Sequence, residues 1–152
     1  MRPEACCKID HNVMNDMVET INPPETKTEL VRILHVDDDP DIRLLISASL
    51  RDFGYFVATA GSVGEALRLA KDLRFNLCIL DVRLPDGTGI ELCQELRKLQ
   101  PGAPVIYYSA YADEAEQKAA LSVCGDAYLK KPVSAEYLER TIARLLHREP
   151  RP

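Results

Sequence analysis

The 152-residue sequence has no apolar run approaching the ~20 residues that a membrane span needs. It has no basic excess either: 19 Lys and Arg stand against 24 Asp and Glu, for a net charge of −5 and a pI near 5.2. Phosphate contacts need clustered cations, so no direct nucleic-acid partner is expected, and no membrane partner. The first twenty residues are polar and contain no h-region, so no signal peptide is expected. No internal repeat or low-complexity tract is present. Five cysteines occur (Cys6, Cys7, Cys78, Cys93 and Cys124), but they form no CxxC pair and their number is odd. Cys78 lies inside an apolar run, as a buried thiol would. A reducing, cytoplasmic setting is the expectation.

What is present suits one packed domain with a short appendage. Hydrophobic residues make up 46% of the chain and charged residues 28%. Residues 1–29 stand apart as an N-terminal extension. Within it Ile9, Val13, Met14, Met17, Val18 and Ile21 fall at helical spacing, which predicts a short helix over 11–21. Asn22-Pro23-Pro24 stops it, and a polar linker follows. The extension reads as a partner-binding helix, as the tail of an upstream element, or as disorder. Residues 149–152 form a short tail.

Between them, over 30–148, apolar runs alternate with amphipathic stretches. Strands are predicted at Leu30–Val36, Tyr55–Ala60, Leu77–Leu80, Val105–Tyr108 and Ala127–Lys130. Helices are predicted from Pro40 to Phe53, from the capping box Ser62-x-x-Glu65 to about Leu73, over Thr88–Leu99, over Asp113–Val123, and after Ser134. Five βα units in strict alternation give an α/β fold, a doubly wound five-stranded parallel sheet with helices on both faces. In such sheets the site lies at the carboxyl ends of the strands.

Those ends carry polar residues of a particular kind. The first strand ends in Asp37-Asp38-Asp39-Pro40 and the third in Asp81. Neighbouring carboxylates repel one another and drift toward protonation unless a cation joins them. A hard divalent ion, Mg²⁺ with Mn²⁺ as its substitute, takes one or two carboxylates plus waters and phosphate oxygens. Asp39 before Pro40 is accounted for as a helix N-cap. Asp37 and Asp38 are not. Ser109 ends the fourth strand and Lys130-Lys131-Pro132 the fifth. Either lysine supplies counter-charge, and Pro132 suggests a turn that aims Lys131.

The runs Ile33–Pro40, Ile79–Gly87 and Tyr128–Val133 resemble those of response regulator receiver domains, over about residues 30–147. The resemblance implies the flavodoxin-like (βα)5 receiver fold with strand order 2-1-3-4-5. It implies phosphorylation at Asp81 by a sensor histidine kinase or a histidine phosphotransfer protein. Mg²⁺ would be held by Asp37, Asp38, Asp81 and the backbone carbonyl of Arg83. Ser109 and Lys131 would contact the phosphoryl group, with Ser in place of the commoner Thr. Tyr128 would be the rotating aromatic of the switch, and Arg83 and Tyr111 would tune the lifetime. A cis Lys131–Pro132 peptide is also implied. Output would pass to a downstream protein through the face of the fourth helix, fifth strand and fifth helix.

On this reading the chain is not an enzyme beyond its own phosphorylation and dephosphorylation. Two other readings compete with it. One is a receiver-like module that works without phosphorylation; it would lack an Asp or the Lys, and none is missing. The other is a Mg²⁺-dependent phosphohydrolase with an aspartyl intermediate, which needs a second carboxylate where Arg83 stands. The output partner, the cognate kinase and the oligomeric state stay open, as does the choice between a stand-alone regulator and a piece of a larger one.

Overall fold

Aliphatic runs without turn residues become the sheet. In the computed structural model, which describes residues 29–111 and 113–147, the strands β1 (Arg32–Val36), β2 (Phe56–Ala60), β3 (Leu77–Leu80), β6 (Val105–Ser109) and β7 (Ala127–Lys130) form one five-stranded sheet. Its order is β2-β1-β3-β6-β7 and every pairing is parallel, the order expected for the five core strands. β3 is buried along its whole length, as a central parallel strand must be. Four helices connect the strands, α1 (Pro40–Asp52), α2 (Val63–Asp72), α3 (Gly89–Leu99) and α4 (Glu114–Val123), and α5 (Ala135–Leu146) follows the last. The predicted helix over 11–21 and the tail after 148 lie outside the described residues.

Alternation along the strands sorts the core into two layers. Leu34, Val36, Cys78, Leu80, Val105 and Tyr107 pack with Ala66 and Ala70 of α2, Leu92, Cys93 and Leu96 of α3, and Ala120 of α4. Ile33, Leu77, Ile79, Ile106, Tyr108 and Leu129 pack with Ile46 and Leu50 of α1 and Leu138, Ile142 and Leu145 of α5. Each fully buried aliphatic side chain contributes about 1.5–3 kcal/mol of transfer free energy, which makes these layers the main stabilising term.

Each of these five helices starts on a side-chain cap: Asp39, Ser62, Thr88, Asp113 and Ser134 each accept a backbone N–H of the first turn. The Thr88 cap is completed by Glu91, whose carboxylate accepts the Thr88 N–H.

Two features depart from the sequence reading. First, a two-residue hairpin, β4 (Arg83–Leu84) paired antiparallel with β5 (Gly87–Thr88), follows β3. Its turn residue Asp86 reaches across to α2 and accepts the N–H groups of Val63 at 2.7 Å and Gly64 at 2.9 Å. Those bonds and the helix N-terminus hold the Asp86 carboxyl below its ordinary pKa. Second, Cys93 and Cys124, 31 positions apart in sequence, form a disulfide with Cα atoms 6.2 Å apart. The sequence reading paired no cysteines: the parallel topology brings α3 beside the end of α4, which spacing alone does not reveal. Cys78 is a free buried thiol, as expected, and burial pushes its pKa up to about 12. No described helix is long and apolar enough to cross a membrane.

Candidate functional site

The parallel register delivers the polar residues to one edge. Val36 pairs with Leu80, so Asp37 and Asp81 leave adjacent strands at the same level. Ser109 pairs with Lys130, so Lys131 emerges one step beyond Ser109. Carboxylate oxygens of Asp37, Asp38 and Asp81 all lie within 4.8 Å of one another. Asp37 and Asp81 are buried and Asp38 is exposed. Asp39 is set apart from this group: its carboxylate accepts the Asp41 N–H at 2.9 Å and caps α1. Asp37 Oδ1 accepts the Asp39 N–H at 2.9 Å, which fixes the rotamer of the buried carboxylate.

Lys131 lies across the acidic group. Its ammonium donates to Asp37 Oδ2 and, at 3.1 Å, to Asp81 Oδ2. It also sits 5.4 Å from the centroid of the Tyr108 ring. The Lys131–Pro132 peptide is cis. Lys130, by contrast, is exposed on the last residue of β7, so the double lysine resolves in favour of Lys131.

Electrostatics at the site is unbalanced. Burial alone would lower the Lys131 pKa, but its bond to Asp37 and the charges of Asp81 and Asp37 outweigh this and raise it. Asp37 does not recover in the same way. Desolvation pushes its carboxyl up, and the bonds from Lys131 and the Asp39 N–H do not fully offset that. Three carboxylates gather around one ammonium that contacts two of them, and Asp37 is left under-compensated. A hard oxygen-seeking cation fits that donor set.

The remaining candidates flank this group. The Arg83 N–H points to Asp81 Oδ1 at 3.4 Å, and Arg83 begins the hairpin that Asp86 anchors. The Arg83 guanidinium lies 5.0 Å from the centroid of the Tyr111 ring, joining the loops that follow β3 and β6. Ser109 is buried at the end of β6, and its hydroxyl and the Tyr111 N–H are 3.5 Å apart. Tyr128 donates its hydroxyl to the Tyr111 carbonyl at 3.3 Å, and its ring is 5.9 Å from that of Tyr107. The candidate residues Asp37, Asp38, Asp81, Arg83, Ser109, Tyr111, Tyr128 and Lys131 therefore meet at one edge.

Three residues at this edge were not singled out. Arg43, on α1, donates to the Asp37 carbonyl at 2.7 Å and so holds the β1 end in place. Gly89, at the start of α3, packs directly on the Asp81 backbone. His35, two residues before Asp37, is 1% exposed, and neither ring nitrogen has a partner among the described residues. Burial, followed by the positive charges of Lys131 and Arg43, lowers its pKa to about 3.

The sign of the His35 effect is fixed by linkage. Unfolded, the ring titrates near 6.5; folded, it stays neutral down to about 3. Below pH 6.5 the unfolded chain binds a proton that the folded chain refuses, so stability falls as pH drops. At pH 5 the loss is about 2 kcal/mol. His35→Leu, compared with wild type in urea melts with chelator present, should therefore gain about 2 kcal/mol relative to wild type between pH 7 and pH 5. A pH-independent difference between the two would show that the imidazole carries no such penalty.

Residues 33–143 match the response regulator receiver domain family. The chain is 36% identical over 118 residues to the probable transcriptional regulatory protein TcrX of Mycobacterium tuberculosis, which covers 78% of this chain and 50% of that protein. It spans about half the length of such curated relatives. Among solved structures, a CheY-like receiver domain protein from Methanospirillum hungatei JF-1 superposes with a TM-score of 0.74 at 37% identity, over 78% of this chain and 94% of that one. The response regulator TrrA from Thermotoga maritima, solved in complex with Mg²⁺-BeF, gives 0.69 at 32% identity, over 76% and 99%. The family match runs from Ile33 in the first strand to Ala143 in the last helix and leaves no strand of the sheet outside it, so the chain belongs to the response regulator receiver domain family.

Proposed function

We propose that this chain accepts a phosphoryl group on the Asp81 carboxylate in a Mg²⁺-dependent reaction and thereby switches a protein-interaction face. The observation that carries the reading is the acidic trio Asp37, Asp38 and Asp81 within 4.8 Å, bridged by a lysine that touches two of them. The donor is a sensor histidine kinase or a histidine phosphotransfer protein. The unit that acts is residues 30–148, with 1–29 as an extension and 149–152 as a tail, and it works in the cytoplasm.

Asp37, Asp38, Asp81 and the Arg83 carbonyl would hold the ion, which when bound supplies positive charge to the phosphoryl oxygens. The resemblance to TrrA, solved with Mg²⁺-BeF, supports that choice of ion. An Asp81 oxygen attacks phosphorus, and the P–N bond to the donor imidazole breaks with its electron pair on nitrogen, which takes up a proton. Lys131 trades its contact with Asp81 for one with a phosphoryl oxygen. Ser109 offers its hydroxyl to another. Loss of the Ser109 hydroxyl from the neighbourhood of Tyr111 frees Tyr128, and the face of α4, β7 and α5 changes shape toward a downstream protein. The chain turns over no separate substrate.

Incubation with Mg²⁺ and a small acyl phosphate should add one phosphoryl group by intact-mass measurement, and prior chelation should prevent it. Uptake at an unchanged rate in chelator would remove the ion from the scheme.

The Arg83 and Tyr111 pair sets the lifetime of the product by screening the in-line approach of water to phosphorus. The double variant Arg83→Asn, Tyr111→Ala should lose phosphate faster after donor removal, by about tenfold, or ~1.4 kcal/mol of barrier. Equal decay of variant and wild type would acquit both side chains.

A further inference from the structure

Two ties join α3 to the segment between α4 and β7. One is ionic: Arg97 Nη2 donates to Asp126 Oδ2 at 2.8 Å, and Arg97 also donates to the Ala103 carbonyl at 3.1 Å. Asp126 Oδ2 further accepts the Val105 N–H at 2.9 Å. The other tie is the Cys93–Cys124 disulfide. Cys93 and Arg97 are four residues apart and share one face of α3. The ionic anchor involves neither sulfur.

The two sulfurs differ in access. Cys93 is fully buried, while Cys124 is 9% exposed at the C-terminal end of α4. The other described cysteine, Cys78, is sealed in the sheet. Cys124 is also coupled to the aromatic residues of the site. Its carbonyl accepts the Tyr107 hydroxyl at 2.9 Å. Gly125 follows at φ +103° and lies flat on the Tyr107 ring, where a Cβ would collide. Tyr107 in turn contacts Tyr128.

We propose that Cys93 and Cys124 form a redox-reactive site, a reversible dithiol–disulfide couple that exchanges with a low-molecular-weight disulfide and, when closed, restrains the C-terminal end of α4. The Cys124 thiolate attacks one sulfur of the small disulfide; that S–S bond breaks and one small thiolate leaves. The Cys93 thiolate then attacks the Cys124 sulfur of the mixed disulfide and expels the second small thiolate. Two protein thiols are oxidised, one small disulfide is reduced to two thiols, and the two protons lost by the cysteines end on the released thiolates. Opening is the same sequence in reverse with small thiols. Closing the couple adds a covalent stop at the helix end that packs on Tyr107, so the α4 end and Tyr107 lose freedom together. The couple stands whether or not Asp81 is phosphorylated.

The full chain is equilibrated with oxidised glutathione or with dithiothreitol, quenched in acid, alkylated and peptide-mapped. Oxidised glutathione should yield the linked Cys93–Cys124 peptide. Dithiothreitol in native buffer should open it with the far-UV circular dichroism unchanged, and a second oxidation should close it again. Hydrogen exchange over 114–128 should be roughly tenfold slower in the closed form. Cys93→Ser and Cys124→Ser should match the reduced wild type in both buffers. Full alkylation of both cysteines after oxidised glutathione would overturn the proposal. So would a pair that opens only in denaturant, or identical exchange over 114–128 in the two forms. None of these readouts requires phosphoryl uptake, so the proposal can fail while the reading of Asp81 stands.

Discussion

Asp81→Ala is expected to reduce phosphoryl uptake from a small acyl phosphate to background while leaving the chain folded. Asp81 sits at the end of the central strand, with its backbone N–H held by the Val36 carbonyl at 2.9 Å, and that bond survives the substitution. What is lost is the one carboxylate contacted by both Lys131 and the Arg83 N–H. The neighbouring carboxylates cannot replace it. Asp37 carries the strongest contact to Lys131 and spends its other oxygen on the Asp39 N–H. Asp38 is exposed to water, where an acyl phosphate would find no enclosing groups. A carboxylate is a weak nucleophile toward phosphorus and depends on such surroundings. Intact-mass measurement after incubation decides the matter: labelling of the variant at the wild-type rate would place the acceptor elsewhere and overturn the proposed function.

Gly89→Ala is expected to cost about 3 kcal/mol of stability or more, although it adds a single methyl group. Gly89 is buried at the first position of α3, and its N–H donates to the Val82 carbonyl at 2.8 Å. A Cβ there would collide with the Asp81 carbonyl oxygen and lie 3.0 Å from its carbonyl carbon and 3.1 Å from the Val82 Cα. These are backbone atoms, so no rotamer change relieves the clash. The strand cannot retreat, because Asp81 is bonded to β1. The strain must move α3 or tilt the Asp81–Val82 peptide, and either displaces the Asp81 carboxylate. Gly102→Ala is the control: a Cβ at Gly102 meets nothing within 4 Å, and its effect should stay within about 0.5 kcal/mol. Urea midpoints of the two variants test this; a Gly89→Ala midpoint as close to wild type as that of Gly102→Ala would refute the argument.

Of these two residues, Asp81 was legible in the sequence and Gly89 was not. The acidic trio and Lys131 span nearly a hundred positions, yet their convergence followed from one inference. A run of βα units makes a parallel sheet, and a parallel sheet brings the end of every strand to one edge. Alternation and capping residues are signals of period and position, and among the described residues they placed the five helices and the five core strands. The hairpin of Arg83–Leu84 and Gly87–Thr88 was missed because strands of two residues have no period. The Cys93–Cys124 pair, the Arg43 contact and the Asp86 contact to α2 depend on which helix lies beside which loop, and no local pattern encodes that. His35 lay unremarked inside the predicted strand Leu30–Val36. Only the packed structure shows that its ring has no hydrogen-bond partner among the described residues and lies beside two cations.

The Asp86 contact has a consequence for anyone who exchanges parts between members of this family. Residues 83–88 look like a free-standing surface turn that can be swapped as a cassette. They are instead half of a joint, whose other half is the first turn of a helix more than twenty positions earlier in the chain. A graft that carries the turn but not its seat at Val63 and Gly64 would arrive without its fastening. The transplantable unit is discontinuous, and a recombination boundary drawn between α2 and β3 would cut through it.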